Sequence, residues 1–421
     1  MRIRESSLAV LALVIAALPA AAQDRPVNGA GAAVGLALIH QPGRPFTGTT
    51  LGLPLLETEK DALGIGASAG LAGAFEVARF GDIPLFLEVS GSFAAASSAS
   101  VAVHDLAGTD GFLFAVGNPS GTIDLDASGS SASAAVTSPA GGVLATGSTA
   151  PGGGSQAILA FNRAGGAGAF GAVFTSGEPS AASYGAVLVP GGFAFAGMGD
   201  MSGTRIRSSS ARTSLRGGIE ATLGAPIPLG DGWVVLPKVG AAYRLSGDDV
   251  RGELLIDPYE GPGLPDRFPT AGVRTEETLR SHMAGPVASL SLSGPVAPRW
   301  SVSVGVDAGW LFTGSEWTLA ATGLMEGMAP TALPGSSASG SGGTAMVRAK
   351  AGVSYAAENG TVFSLNGQVE HLTAAPVAVT SASGGTTGGA PLDLSGIGAT
   401  TVIGTMPTFD YAVSVSVSRR F

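Results

Sequence analysis

The sequence predicts an all-β chain that crosses a membrane as an up-and-down antiparallel β-barrel of about ten strands. Three observations predict it. Apolar and polar residues alternate with a period of two through much of the chain, as in "FDYAVSVSVSRRF" (409–421) and "WSVSVGVDAGWLF" (300–312). Charged residues are only 13% of the 421 and mean hydropathy is +0.36, yet no run of about 18 apolar residues follows the N-terminal segment, so no helix is long enough to span. Aromatic residues recur ten positions apart on one face: Trp233 and Tyr243, Trp300 and Trp310, Tyr411 and Phe421.

Each element follows from these patterns. Residues 1–22 read as a secretory signal peptide. Arg2 and Arg4 precede an apolar run from Leu8 to Leu18, and Ala20-Ala21-Ala22 supplies a small-residue cleavage site. Residues 23–421 then form the exported protein. Arg2, Arg4 and Glu5 leave with the signal, so the net charge moves from −9 to −10. An acidic chain of this kind does not seek nucleic acid. With no Cys there is neither a disulfide nor a thiolate metal site.

In "WSVSVGVDAGWLF" the face of Trp300, Val302, Val304, Val306, Trp310 and Phe312 opposes Ser301, Ser303, Gly305 and Asp307. "AMVRAKAGVSYA" (345–356), "TVFSLNGQVE" (361–370) and "GWVVLPKVGAAYRL" (232–245) repeat the pattern, with Val234 and Leu236 blurring the last; "RTSLRGGIEATL" (212–223) and "IPLFLEVSGSF" (83–93) follow more loosely. The polar face is mostly Ser, Gly and Ala, which suits a crowded, curved interior. The aromatics Trp233, Tyr243, Trp300, Trp310, Phe312, Tyr411 and Phe421 fit girdles at two interfaces, because a tilted strand crosses a bilayer in about 9–11 residues. In lipid an open sheet leaves its edge groups unsatisfied, so the last strand must pair with the first.

Gly/Pro/Asn turns near 79–83, 224–232, 294–299 and 357–360 alternate with long stretches at 41–61, 105–200, 257–271, 321–341 and 381–403. Strands are expected near 29–40, 62–78, 83–103, 202–223, 232–256, 272–293, 300–320, 343–356, 361–379 and 405–421. A change of phase near Gly285-Pro286 suggests a bulge or an outer end beyond the membrane. The Gly/Ala/Ser-rich residues 105–200 are expected as a surface or pore-filling loop; "QAILAFN" and "GAFGAVF" within it offer one more hairpin and a total of twelve strands.

Projection of the inward positions gives Arg212, Arg216, Lys238, Arg244, Arg348, Lys350 and Arg420 against Glu76, Glu88, Glu220, Asp307, Glu370 and Asp410. Matched charge predicts paired residues filling the lumen rather than a ring of one sign around a selective pore. The excess acidic residues Asp124, Asp126, Asp248, Asp249, Glu253, Asp257, Glu260, Asp266, Glu276 and Glu277 are assigned to loops and outer strand ends. "DLDASG" (124–129) begins like a calcium loop, but Ala135 stands where the bidentate Glu belongs. No metal or cofactor motif is found.

The alternating C-terminal strand ending in Phe, residues 409–421, resembles the C-terminal signature of bacterial outer-membrane β-barrel proteins. That resemblance implies the bacterial outer membrane as location, contact with its lipid and lipopolysaccharide, and assembly machinery that reads the last strand. His371 and Thr373 resemble the His-x-Ser spacing of outer-membrane lipid hydrolases; Thr stands in place of Ser, and alternation puts His371 on the lipid side. The expected role is structural or in surface interaction, with a mostly filled lumen. A narrow pore for small solutes is the alternative. A hydrolase, or a small autotransporter-like protein with a surface segment at 105–200, stands behind both.

Overall fold

The structure is a computed structural model of the chain. It describes residues 29–43, 49–51, 62–106, 111–128, 131–137, 142–149, 156–160, 168–175, 181–258, 269–383 and 392–420. The expected signal peptide, Glu260, Asp266 and Phe421 lie outside them.

Four strands come first: β1 (Gly29–Gln41), β2 (Thr49–Leu51), β3 (Ala62–Phe80) and β4 (Ile83–Asp105). Eight short ones follow: β5 (Gly111–Gly117), β6 (Thr122–Ser128), β7 (Ser131–Thr137), β8 (Val143–Thr149), β9 (Gln156–Ala160), β10 (Gly168–Thr175), β11 (Ala181–Val189) and β12 (Gly192–Gly199). The rest are β13 (Arg205–Gly224), β14 (Ile227–Gly230), β15 (Trp233–Asp257), β16 (Ala271–Ala297), β17 (Trp300–Met325), β18 (Thr331–Ala356), β19 (Thr361–Ser383), β20 (Leu392–Asp393) and β21 (Gly398–Arg420).

Ten long strands and the short β14 form one antiparallel sheet in the order β13-β4-β3-β1-β21-β19-β18-β17-β16-β15-β14, and β13 pairs with β15 to close it. β1 lies on β21 from Gly29↔Arg420 to Ile39↔Asp410. Closure leaves no edge within the hydrocarbon, where each unpaired backbone group costs several kcal/mol. At the end with short turns, Asp231 (φ 50°) and Arg299 (φ 71°) take the left-handed conformation that a tight hairpin requires.

The expected strands are recovered, most of them longer at the outer end. The stretch 321–341, expected as a long connection, is largely strand: β17 runs to Met325 and β18 starts at Thr331. Its small residues continue the wall above the membrane. The suspected bulge near Gly285-Pro286 does not occur. The pairing of β16 keeps one register from Ala271↔Met325 to Pro295↔Ser301, and odd residues face inward on both sides of Gly285. What changes is the medium outside. Below Pro286 the outward residues Leu290 and Ala288 face lipid; above it Arg274, Glu276, Arg280 and His282 face water, while Leu279 and Met283 turn in.

Residues 105–200 are neither a plain loop nor extra wall strands. Their described strands from Gly111 to Gly199, with β2 and β20, form a two-layer cap. β2, β5, β12, β11, β10 and β9 make a six-stranded sheet, and β20, β6, β7 and β8 a four-stranded one. Of the "QAILAFN"/"GAFGAVF" hairpin, Gln156–Ala160 and Gly168–Thr175 pair antiparallel as β9 and β10, but in the cap. One face of the six-stranded sheet carries Phe112, Phe114, Tyr184, Leu188, Phe193 and Phe195. It packs on Leu254, Ile256, Val273 and Met325, which line the raised outer wall of β15, β16 and β17. The opposite face packs through Leu113, Val187 and Ala194 on Ile123 and Val136 of the smaller sheet. The apolar run of β5, and that of β11 broken only by Ser183, fit strands covered on both faces. Asp124 and Asp126 lie exposed on β6, an antiparallel strand and not a cation-binding loop.

Candidate functional site: the closed lumen

The inward face of the wall carries a belt of paired charges. Arg348 of β18 reaches across the barrel, with Nη2 2.5 Å from Glu220 of β13 and Nε 2.6 Å from Asp307 of β17. Arg244 of β15 lies 3.0 Å from Glu220 and 3.6 Å from Glu370 of β19. Lys350 lies 2.7 Å from Asp307, which also accepts the Ser289 hydroxyl at 2.6 Å. Lys238 pairs with Glu88 of β4 at 2.9 Å. A second group sits toward the outer side. Arg216 lies 3.5 Å from Asp410 and 3.4 Å from Asp248, Arg212 lies 3.3 Å from Asp248, and Arg212 also donates to the Pro42 carbonyl at 2.8 Å. Gln41, Ser98 and Ser214 complete the group with hydrogen bonds of 2.5–2.9 Å. Arg212, Glu220, Lys238, Arg244, Asp307 and Arg348 are buried, a state that such groups tolerate only when paired and hydrogen-bonded.

The structure therefore brings together every inward residue read from the sequence except two. Glu76 is not in the belt: it sits exposed at the turn end of β3 and binds Arg79 at 2.9 Å, because a register shift after Glu76 leaves this end of the strand beyond the covered part of the wall. Arg420 pairs its backbone with Gly29, and its side chain lies outside the description. Two residues assigned to loops and outer ends belong inside: Asp248 in the network, and Glu277, which accepts the Trp317 indole N–H at 3.1 Å; Asp257 ends β15 on the outward phase, held by Arg207 and Thr270. Parity marks the first of them. Lys238, Arg244 and Asp248 are all even, so the inward phase of β15 extends to Asp248 and leaves Asp249 outside.

A cavity of about 330 Å³ runs beside the belt; Ser90, Ser291, Ser303, Ser364 and Ser414 line it toward the turn end, and belt residues such as Arg244, Arg348 and Asp410 line it above. Above the belt Met283, Val287, Leu311, Met346, Leu372 and Ala375 form an apolar layer, and the cap lies beyond.

The outer face of the wall is apolar at bilayer height. Val304, Val306, Leu365, Val413 and Val415 are exposed, and aromatics flank them. Trp300, Tyr243, Trp310, Phe312 and Tyr411 are exposed on that face; Trp233 is half-buried over Gly294. The ten residues from Trp300 to Trp310 rise about 25 Å along a strand tilted by about 40°, the height of the apolar band in such barrels. Above the band, Arg274–Glu253 (2.6 Å), Arg280–Asp249 (2.8 Å) and Arg251–Glu276 (3.5 Å) form a ladder of exposed ion pairs between β15 and β16.

His371 and Thr373 do not meet as a base and a nucleophile. The His371 ring lies on the Phe409 ring at 4.2 Å with Nδ1 2.9 Å from the Thr408 carbonyl, and Thr373 Oγ1 accepts the Ala345 N–H at 3.1 Å.

No family model matches the chain, and no curated protein matches it. Among solved structures it is similar to the outer-membrane protease OmpT of Escherichia coli: 8% identity over 93% of this chain and 97% of that one, TM-score 0.30. The toluene transporter TodX of Pseudomonas putida matches at 9% identity over 94% and 90%, TM-score 0.21. A FadL homologue of Pseudomonas aeruginosa matches at 10% over 93% and 90%, TM-score 0.20. No role follows from likeness this distant. The architecture rests on the wall itself: closed, antiparallel, apolar at bilayer height and girdled by aromatics, it is that of a bacterial outer-membrane β-barrel.

Proposed function

We propose that this protein is a non-conducting surface barrel: a wall that holds a β-sheet cap at the cell surface for interaction with the outside, its lumen filled at rest. The observation that carries this reading is the stacking of three closures along one axis. The cross-barrel ion pairs of Arg348, the apolar layer around Leu311 and Met346, and the aromatic face of the cap follow one another outward. The ion-pair ladder above the upper girdle stands at headgroup height, where lipopolysaccharide phosphates and their divalent cations are its natural partners.

A narrow pore is the second reading. It is favoured by the serine-lined cavity, which extends along β1, β3 and β4 beside the belt, with Arg216, Arg348 and Asp410 on its wall. Reconstitution into planar bilayers separates the two. A filled barrel gives no discrete conductance steps; reproducible steps from pure protein overturn the first reading. A hydrolytic role is addressed with the same preparation, by the release of fatty acid from phospholipid or lipid A.

A further inference from the structure

The apolar layer and the cap close one side of the barrel. The layer draws on β15, β16, β17, β18 and β19, and the aromatic face of the cap packs on β13, β15, β16, β17 and β18. Among the described residues neither includes a side chain of β1 or β3. On that side the inward positions are small: Gly35 and Ala37 of β1, Gly66 and Gly70 of β3, Ser92 and Ala94 of β4. The serine-lined cavity runs along them. Ile39 and Ala94 line it, and Gln41 and Ser98, further out on the same strands, do not.

At the height where the cavity stops, one side chain crosses. Gln41 is buried and reaches from β1 over β3 to β4 and β13. Its Oε1 accepts the Ser98 hydroxyl at 2.5 Å, and its Nε2 donates to Ser214 Oγ at 2.9 Å. Ser214 in turn donates to Asp248 at 2.5 Å, so both roles of that hydroxyl are used and the amide has one orientation. Gly64 makes the crossing possible, because a Cβ there would stand 2.6 Å from Gln41 Nε2. Beneath the amide Ile39 packs on Ala37 and Ala96. Just beyond it Ser100 and His104, on the inward phase of β4 that Ser98 shares, are exposed.

We propose that this side of the lumen is a path for small uncharged or zwitterionic solutes, and that Gln41 is the septum that holds it shut at rest. The inference rests on the filled-lumen reading above and locates the closure where the apolar layer does not reach. The solute class follows from the wall. Hydroxyls line it, and its five cationic and four anionic side chains leave no ring of one sign. The two bonds of the amide join neutral groups and are individually weaker than the charge-assisted bonds of the belt.

Planar bilayers and vesicle swelling test the septum on the whole protein. The unsubstituted protein and Arg348→Met should stay silent. Gln41→Ala should give small discrete steps with a reversal potential near zero in a KCl gradient, and Ile39→Ala/Gln41→Ala larger ones. Swelling of Gln41→Ala vesicles in isotonic arabinose or glycine should rise on the order of tenfold, with no rise in raffinose. The chain has no cysteine, so Ser92→Cys in the Gln41→Ala background marks the path, and a methanethiosulfonate reagent should block the steps. Silence from Gln41→Ala that keeps the compact form on unheated gels overturns the proposal. If the double variant then conducts, the closure belongs to Ile39. Steps that Ser92→Cys does not block, steps selective for one sign of charge, or steps from Arg348→Met alone overturn it as well. Steps from the unsubstituted protein refute the non-conducting reading and the septum together, whereas silence throughout removes the septum and leaves that reading standing. If Gln41→Ala does not fold, sidedness decides. In vesicles with the cap outside, an impermeant thiol reagent should label Ser100→Cys and spare Ser92→Cys; equal labelling of the two overturns the septum.

Discussion

Arg348→Met is the sharpest test of the belt. The substitution keeps most of the side chain's length and removes its charge. In the folded protein the guanidinium lies 2.5 Å from both Glu220 and Asp307 and 3.6 Å from Glu370. After its removal Glu220 keeps Arg244, and Asp307 keeps Lys350 and Ser289, so neither acid is orphaned, but one negative charge in a buried cluster is left uncompensated. Breaking a buried pair costs about 3–5 kcal/mol, and the surviving partners argue for the lower end. A loss of about 3 kcal/mol is on the order of a hundredfold in the folding equilibrium. The assay is urea unfolding in detergent micelles, followed by tryptophan emission, for wild type, Arg348→Met, Glu220→Gln and the double variant. The double variant should be more stable than the sum of the two losses predicts by about 1–2 kcal/mol, since Glu220→Gln removes the charge that Arg348→Met strands. A single-variant loss below about 1 kcal/mol, with additivity, is the behaviour of solvated pairs and would refute a dry, closed belt.

Further outcomes follow from the wall and the cap. Val306→Arg puts a charge on the lipid face midway between Trp300 and Trp310 and should cost about 2–4 kcal/mol in the same unfolding assay, whereas Ser303→Arg on the lumen side should not show that lipid-depth cost. Gly35→Val should prevent closure, because a Cβ at Gly35 meets the Val413 carbonyl and Ser414 across the β1–β21 seam; retention of the compact form on unheated gels would contradict this. Phe195→Ala removes a buried ring stacked 5.5 Å from Phe112 and should loosen the cap by about 3–5 kcal/mol. Limited proteolysis should then cut within 107–200 and leave the wall strands intact; unchanged protease resistance of the cap counts against its packing on Leu254 and Val273.

The wall was legible in the sequence because membrane strands are read by two different solvents. Val302, Val304 and Val306 must meet lipid while Ser303, Gly305 and Asp307 must not, so a period of two is written along the chain. The same parity carries the belt: Arg216, Glu220, Lys238, Arg244, Arg348, Lys350, Glu370 and Asp410 were all placed by counting from the strand they sit on. The pattern misled where one of the two media changed. Above the girdle water replaces lipid outside and the cap replaces water inside, so the hydrophobic phase inverts at Gly285-Pro286 while the pleat does not. Asp248 and Glu277 were lost to the same inversion, for at the outer strand ends an acidic residue fits either face.

By itself the sequence determined the class of object, a closed antiparallel cylinder with small polar residues within and aromatic rings at two heights, because backbone satisfaction in lipid leaves no other solution for strands of this pattern. Only the tertiary structure decided what fills it. Within the Gly/Ala/Ser-rich residues 105–200, β5, β11 and β12 have little periodicity because they are covered on both faces, and their partners Leu254, Ile256 and Val273 lie far along the chain, on β15 and β16. That β18 and β19 stop pairing at Met346↔Leu372, while each continues outward on its other neighbour, was hidden for the same reason. Whether a strand pairs along its whole length depends on where its neighbours lean, and that is settled by contacts such as Gly340 with Ile403, far apart along the chain.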